Sequence, residues 1–134
     1  LIVFEQEENG TVPAPVTETG LIDMGKRAAI LENSSVLPLS HNLFEKDAII
    51  FDRLESKKIR YVHSREQKGI QLEFSQFPYL ILWSSVNHGP FIAMEPWSGL
   101  STCSDEDDVL EHKRNVMFAK PGLLEELSYT ITVL

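Results

Sequence analysis

An acidic residue that follows a short apolar run is the best candidate for chemistry in this sequence. Residues 91–94 are apolar, Glu95 comes next, and Pro96, Trp97 and Gly99 follow it. Because proline lacks a ladder donor and glycine permits a sharp turn, the pattern predicts a strand that ends at Glu95. A glutamate held there beside an indole is partly desolvated, which disfavours its charged form and makes it a better proton acceptor. The alternative is a strand-end glutamate that points into water.

Three other side chains could have a functional role near such a base. Trp83 and Trp97 offer flat faces that suit stacking on the apolar C–H faces of sugar rings. Tryptophans of a β-protein also serve as core residues, so this second interpretation stays open. Asp47 lies just before the apolar run at residues 48–51. An aspartate in that position is equally suited to capping or ending a turn.

The residue spacing does not predict a metal site or any of the common hydrolase or nucleotide-binding motifs. His41, His63, His88 and His112 lie far apart, with no i, i+4 pair, no C-x-x-C and no H-E-x-x-H. A sequence-defined zinc site therefore has no support. The sequence also contains no G-x-S-x-G, G-x-G-x-x-G or Walker motif. Cys103 is the single cysteine, and no pattern around it indicates an activated thiol.

Composition excludes several classes of partner and location. The chain has 134 residues, and 12 basic against 20 acidic residues give a formal net charge of −8. Such a charge repels polyanions, so we expect no nucleic-acid partner. The apolar runs are far shorter than the roughly 20 residues that span a bilayer, so we expect no membrane segment. A lone cysteine and the lack of a leader pattern favour the cytoplasm.

The hydrophobic pattern elsewhere has a period of two, which indicates antiparallel strands. Residues 70–75 and 127–133 alternate clearly between apolar and polar side chains. Weaker strands are predicted at residues 1–7, 27–31, 58–63, 79–84 and 91–95. Helix signals are confined to residues 41–50 and to a short turn that Asp107 or Asp108 could cap. The pattern therefore predicts a single all-β domain, an antiparallel β-sandwich.

Five short motifs follow one another along the chain. They are LPLS at 37–40, LFEKDAIIF at 43–51, FSQFPYL at 74–80, LWS at 82–84 and FIAMEPWSGL at 91–100. LSYTITV at 127–133 completes the series. In this order they closely resemble the C-terminal half of the aldose 1-epimerase (galactose mutarotase) family, in its LacX-type bacterial branch. The resemblance covers nearly the whole chain, and the series of motifs is more specific than any one of them.

The resemblance implies a fold and a set of site residues. The family fold is a large antiparallel β-supersandwich that binds a free sugar in a groove, and this chain has less than half of it. Glu95 matches the family's general base. Asp47 resembles the aspartate that accepts hydrogen bonds from sugar hydroxyls. The family's acid is a histidine in a Gly-x-His-Pro-x-Phe segment of the N-terminal half, and nothing in this sequence matches it.

The resemblance also implies a reaction. Glu95 would take the proton from the anomeric hydroxyl of an aldohexose while the missing histidine protonates the ring oxygen, and the roles reverse on closure. Nothing is transferred between molecules, so no cofactor is expected. Each positioned proton-transfer group contributes about 10²–10⁴-fold to the rate. The segment alone is therefore expected to be nearly inactive.

The chain opens on Leu1 within an apolar, strand-like run. We expect it to be the C-terminal portion of a single larger sandwich domain whose N-terminal half is absent. Half a sandwich exposes strand edges and an apolar inner face, which favour pairing or aggregation. The N-terminal half of the same protein, or another chain, is therefore expected to cover this surface.

Two other functions stay open on the sequence alone. The first is a hexose-6-phosphate 1-epimerase, which would need an arginine cluster for the phosphate. Arg53, Arg60 and Arg65 are available but show no convergent pattern. The second is a non-catalytic carbohydrate-binding β-sandwich, in which Trp83 and Trp97 stack on the sugar and the glutamate only donates or accepts hydrogen bonds.

Overall fold

Strands make up nearly all the regular structure of the chain. The computed structural model describes residues 1–16, 18–66 and 68–134, and within them it shows ten strands. They are β1 (Ile2–Glu8), β2 (Thr11–Val16), β3 (Leu21–Ala29), β4 (Ser34–Leu37), β5 (Ile49–Phe51), β6 (Lys58–Val62), β7 (Gly69–Glu73), β8 (Tyr79–Trp83), β9 (Ala93–Trp97) and β10 (Thr130–Val133). Two 3-10 helices lie at His41–Phe44 and Leu110–His112. In the described part of the chain, no helix is long and apolar enough to cross a membrane.

Two antiparallel sheets face each other across the main core. The larger has the strand order β10-β7-β6-β1-β4 and the smaller has the order β5-β8-β9, while β2 and β3 form a separate hairpin. The main core contains Phe4 and Leu72 from the larger sheet together with Phe51 and Leu82 from the smaller one. Two packed antiparallel layers make a β-sandwich, so the predicted fold class is confirmed.

Strand β8 is buried on both of its faces. Leu80 and Leu82 point into the main core. Tyr79 and Ile81 point the other way, into a second cluster that includes Ile22 and Cys103. Successive side chains of a strand point to opposite faces, so the unbroken apolar run of β8 is what two-sided burial requires.

Agreement with the strand predictions does not follow the strength of the alternation. Strands β6, β7 and β8 lie where the pattern placed them. The prediction that the strand ends at Glu95 is wrong, because β9 continues through Pro96 to Trp97. β9 is the last strand of its sheet, where a missing proline N–H is tolerated. Strand β10 begins at Thr130 rather than at residue 127.

Two neighbouring strand edges carry no further strand among the described residues. β9 ends the smaller sheet and β10 ends the larger one. Every residue from 117 to 134 is exposed, including the large apolar side chains of Phe118, Leu124 and Val133. Bare strand edges beside exposed apolar side chains are typical of a surface that another polypeptide covers.

Candidate functional site

The pairing of β9 with β8 decides where Glu95 points. Glu95 lies opposite Ile81, and Ile81 lies opposite Ile50 of β5. Residues directly opposite one another share a face of the sheet, so these three side chains form a row. We call this side of the three-stranded sheet the site face. The same register places Trp97 and Trp83 on the site face, in the rows on either side of Glu95.

An indole holds the carboxylate of Glu95 in one orientation. Trp97 Nε1 donates a hydrogen bond to Glu95 Oε2 at 3.0 Å. Both side chains are half-buried. Their positions, two residues apart on one strand, put them on the same side of β9. Glu95 Oε1 makes no hydrogen bond to the residues that the structure describes, so this oxygen is available to a ligand.

Glu95 borders a cavity that opens between the edges of the two sheets. The cavity has a volume of about 340 Å³ and is lined by Glu95 and Trp97. The remaining walls come from β7, β9 and the C-terminal segment: Ile70, Leu72, Met94, Pro96, Tyr129 and Ile131. Its volume lies at the lower end of the range of about 300–1,000 Å³ for ligand sites. The walls are mainly apolar, with the carboxylate as their acidic group.

Asp47 lines a second cavity on the other side of Trp97. This cavity of about 200 Å³ is also lined by Ala48, Ile50 and Ser101. Trp97 therefore borders both cavities, with Glu95 on one and Asp47 on the other. Of the four predicted site residues, the structure thus places Glu95 and Asp47 at cavities that share Trp97 as a wall.

The backbone at Asp47 adopts a conformation that L-residues rarely take. Its φ angle is 127°, in the region that favours glycine. Its exposed carboxylate accepts a hydrogen bond at 2.7 Å through Oδ1 from the N–H of Ala48. Such a conformation costs on the order of 1–3 kcal/mol and persists where the surrounding structure enforces it, often at functional sites. Asp47 lies two residues before the start of β5 at Ile49.

Trp83 lies one row beyond Glu95 and lines neither cavity beside Trp97. It is half-buried and packs against Phe91, with ring centroids 5.5 Å apart. Its diagonal position on the site face is consistent with a role at the margin of a bound ligand. The two tryptophans therefore differ in position, since Trp97 borders both cavities and Trp83 borders neither.

Tyr79 and Tyr129 are neighbours of the site that the sequence analysis missed. Tyr79 lies opposite Trp97 on the site face, and its hydroxyl accepts a hydrogen bond from Asn115 Nδ2. Burial raises the pKa of Tyr79, although the bond from Asn115 acts in the opposite direction. The phenol therefore stays protonated at neutral pH and does not supply a general base. Tyr129 reaches the Glu95 cavity through long-range packing that no local pattern shows.

Cys103 is unsuited to nucleophilic chemistry. Its side chain is 1% exposed and lies in the second core cluster. Burial raises the pKa of the Cys103 thiol, and the nearby carboxylate of Glu106 adds to the effect. Because the thiolate is the reactive form, the thiol is inert at neutral pH. In the described part of the chain, no group of three or more potential ligands could hold a metal ion.

The chain is similar in sequence to two known proteins. Protein LacX of Lactococcus lactis subsp. lactis, in its plasmid and its chromosomal form, is 44% identical to this chain over 131 residues. The match covers 98% of this chain and 44% of each LacX protein. The chain therefore spans less than half the length of these relatives. No protein-family model matches the chain.

Two solved structures share the fold. They are a galactose mutarotase related enzyme from Lactobacillus acidophilus and a galactose mutarotase-like protein from Lactobacillus casei, with TM-scores of 0.77 and 0.80. The chain is similar in sequence to part of the LacX proteins, and its fold is galactose mutarotase-like. Each structure is 24% identical to this chain, and the matches cover 98% of it and 44% and 45% of the two solved chains. The resemblance to galactose mutarotase-related proteins that the motifs predicted is thereby confirmed.

Proposed function

We propose that this LacX-like chain carries the general base of an aldose 1-epimerase, which interconverts the anomers of a free aldohexose. The observation that carries the proposal is the environment of Glu95. Its carboxylate is half-buried, is oriented by Trp97 at 3.0 Å and borders a cavity of about 340 Å³. The galactose mutarotase-like fold supports the class of reaction.

The two carboxylate oxygens of Glu95 would have different roles, since Oε2 accepts the hydrogen bond from Trp97 and Oε1 exchanges the proton with the sugar. Trp97 occupies Oε2, so Oε1 accepts the proton of the anomeric hydroxyl. The electron pair of that O–H bond forms the C1 carbonyl while the bond from C1 to the ring oxygen breaks, and an acid protonates the ring oxygen. After rotation about C1–C2 the ring oxygen attacks the opposite face of C1. Oε1 then returns its proton to the carbonyl oxygen and the acid recovers its own.

Asp47 and the tryptophans would hold the sugar during this cycle. Asp47 accepts hydrogen bonds from sugar hydroxyls through its exposed carboxylate, next to the cavity that it shares with Trp97. The face of Trp97 supplies apolar contact to the ring, and Trp83 extends that contact at the margin. In this arrangement Trp97 serves two purposes, since it also orients the base.

The acid would come from a separate part of the fold. His41 and His88 stack on each other, and His112 contacts Asp107 at 2.8 Å. No histidine among the described residues lines either cavity beside Trp97. We assign the acid to the N-terminal half, which would add strands to the bare edges of β9 and β10. The greater length of the LacX proteins supports such a second half.

A free sugar fits this site better than a sugar phosphate. Arg27 is paired with Asp52, and Arg114 is paired with Asp105. No arginine of the described residues lines the cavities beside Trp97. A phosphate group is usually bound by arginine in a bidentate contact. We therefore favour an unphosphorylated aldohexose as the substrate.

The proposal is tested by complementing the chain and measuring anomer exchange. The chain is co-expressed with the N-terminal half of Lactococcus lactis LacX, and the α-to-β exchange of glucose and galactose is followed by NMR. We expect the complex to accelerate exchange and Glu95→Gln to reduce the rate by about 10²–10⁴-fold.

The matched control is Glu32→Gln, which changes an exposed glutamate in a turn remote from β9. It should leave the exchange rate unchanged. Equal rates for the parent complex and the Glu95→Gln complex would remove Glu95 from the mechanism. A complex that binds sugar tightly without accelerating exchange would instead identify a non-catalytic carbohydrate-binding protein.

A further inference from the structure

A third cavity lies beyond the N-terminal end of β9, away from Trp97. It has a volume of about 310 Å³, and its walls include His41, Phe44, Tyr61, Ser84 and Phe91. None of the residues that line it also lines the two cavities beside Trp97. It is therefore a separate site, built by the 3-10 helix His41–Phe44, by β6 and by the segment that connects β8 to β9.

The lining of this cavity is aromatic and uncharged. Phe91 and Tyr61 are partly exposed, with 49% and 39% of their surface accessible, so their rings can contact a ligand. No aspartate, glutamate, lysine or arginine of the described residues lines the cavity. A charged ligand would lose its hydration there without gaining a counter-charge, which is unfavourable. The lining therefore selects for a neutral ligand.

Polar groups that could hydrogen-bond to a ligand lie on or next to the lining, because His41 lines the cavity and His88 directly precedes Gly89, which also lines it. His41 and His88 stack face to face, with ring centroids 4.6 Å apart and planes 13° from parallel. Neither imidazole makes a hydrogen bond to the residues that the structure describes. A neutral imidazole offers one N–H donor and one nitrogen acceptor. A ligand with several hydroxyl groups could use both kinds of group.

The loop that carries His88 is held in place by its own hydrogen bonds. The N–H groups of His88 and Gly89 bind the carbonyl and the hydroxyl of Ser85, both at 3.1 Å. Ser84 Oγ donates to the carbonyl of Phe91 at 2.8 Å. A Cβ at Gly89 would lie 2.6 Å from Ser85 Oγ and 2.8 Å from the ring of Phe91, so a larger residue there would displace these side chains. A wall that is already ordered loses little entropy when a ligand binds.

We propose that this cavity binds a neutral sugar ring at a site distinct from Glu95. The choice of a sugar rests on the proposed function, whereas the neutral, ring-shaped, hydroxyl-bearing character follows from the lining. Phe91 and Tyr61 contact the apolar C–H faces of the ring, and His41 and His88 bind its hydroxyls. The cavity volume suits a single ring, at the small end of ligand pockets.

The test uses methyl β-galactopyranoside, a neutral ring that has no free anomeric hydroxyl and cannot mutarotate. Binding here is thereby separated from chemistry at Glu95. The chain, in the complex with the N-terminal half of LacX described above, is titrated with the glycoside while the imidazole resonances of the chain's four histidines are followed by NMR. We expect saturable shifts of His41 and His88 with a Kd on the order of millimolar, and no shift of His63 or His112.

Variants make the outcome decisive. Phe91→Ala should raise the Kd reported by the shifts of His41 and His88 at least tenfold. Phe91→Tyr, which keeps the ring, should restore the original Kd. Two control variants should leave the shifts of His41 and His88 unchanged. They are Phe118→Ala, which changes another exposed phenylalanine, and Glu95→Gln. Unmoved or non-saturating histidine resonances would overturn the proposal, as would saturable shifts with inorganic phosphate in place of the glycoside. A failure of Glu95→Gln to affect anomer exchange would not bear on this result.

Discussion

The hydrogen bond between Trp97 and Glu95 allows the strongest test of the site, because one substitution removes it and keeps most of the aromatic surface. Trp97→Phe deletes the Nε1 donor that lies 3.0 Å from Glu95 Oε2. A hydrogen bond to a charged group contributes about 1.5–3 kcal/mol, and a half-buried carboxylate recovers part of this from water. We therefore expect a loss of about 1–2 kcal/mol in the transition state, equivalent to about 5- to 30-fold in rate.

The assay is anomer exchange in the complemented protein, with kcat and KM measured separately. If Trp97 orients the base, Trp97→Phe lowers kcat while the remaining ring keeps KM within about threefold. Trp83→Phe is the matched control, since Trp83 shares the site face and does not bond Glu95. The reasoning is refuted if the two variants lose the same activity, or if Trp97→Phe raises KM alone. Either result would make Trp97 a stacking surface and not an orienting residue.

Two further predictions concern stability. Leu82→Ala empties a fully buried position of β8 and should lower the free energy of unfolding by about 2–5 kcal/mol in urea denaturation, whereas Val86→Ala, at an exposed position, should change it by less than about 0.5 kcal/mol. The pKa of Glu106 is lowered from 4.5 because the N–H groups of Cys103 and Arg114 and nearby positive charges outweigh the opposing effect of desolvation. The stability that Glu106 contributes is therefore complete above the unfolded value of 4.5 and is lost as the pH falls through the lower folded value. Glu106→Gln should therefore flatten the fall of the urea midpoint as the pH drops below 4.5. An unchanged pH profile in that variant would contradict this assignment.

Local sequence patterns predict the positions of several strands. They do not predict how strands that are distant in the sequence pair with one another. Strand β7 has a clear period of two and lies where the sequence placed it, and β6 does so with a weaker pattern. Strand β2 carries two prolines, so its pairing with β3 has no local signal. Pro96 wrongly predicts the end of β9, because proline ends a central strand but is tolerated in an edge strand. The edge position of β9 follows from the sheet order.

Some features of the site are likewise predictable from neighbouring residues in the sequence, whereas others depend on long-range packing. Glu95 and Trp97 are two residues apart in one strand, so their proximity was predictable. The cavity wall at Tyr129 and Ile131 depends on how the C-terminal segment returns to β7. The φ angle of Asp47 depends on how the chain enters β5, and no sequence pattern indicates it. The motif series supplied the family resemblance that the physical pattern alone could not.

The two-sided burial of β8 has a consequence for the precision of the site. A slip of β9 by one residue along β8 would rotate every side chain of β9 to the opposite side. Glu95 would then enter the main hydrocarbon interior and Met94 would leave it, at the cost of an unpaired ion in an apolar medium. The misaligned ladder is therefore unstable, because it would bury the carboxylate that we propose as the general base.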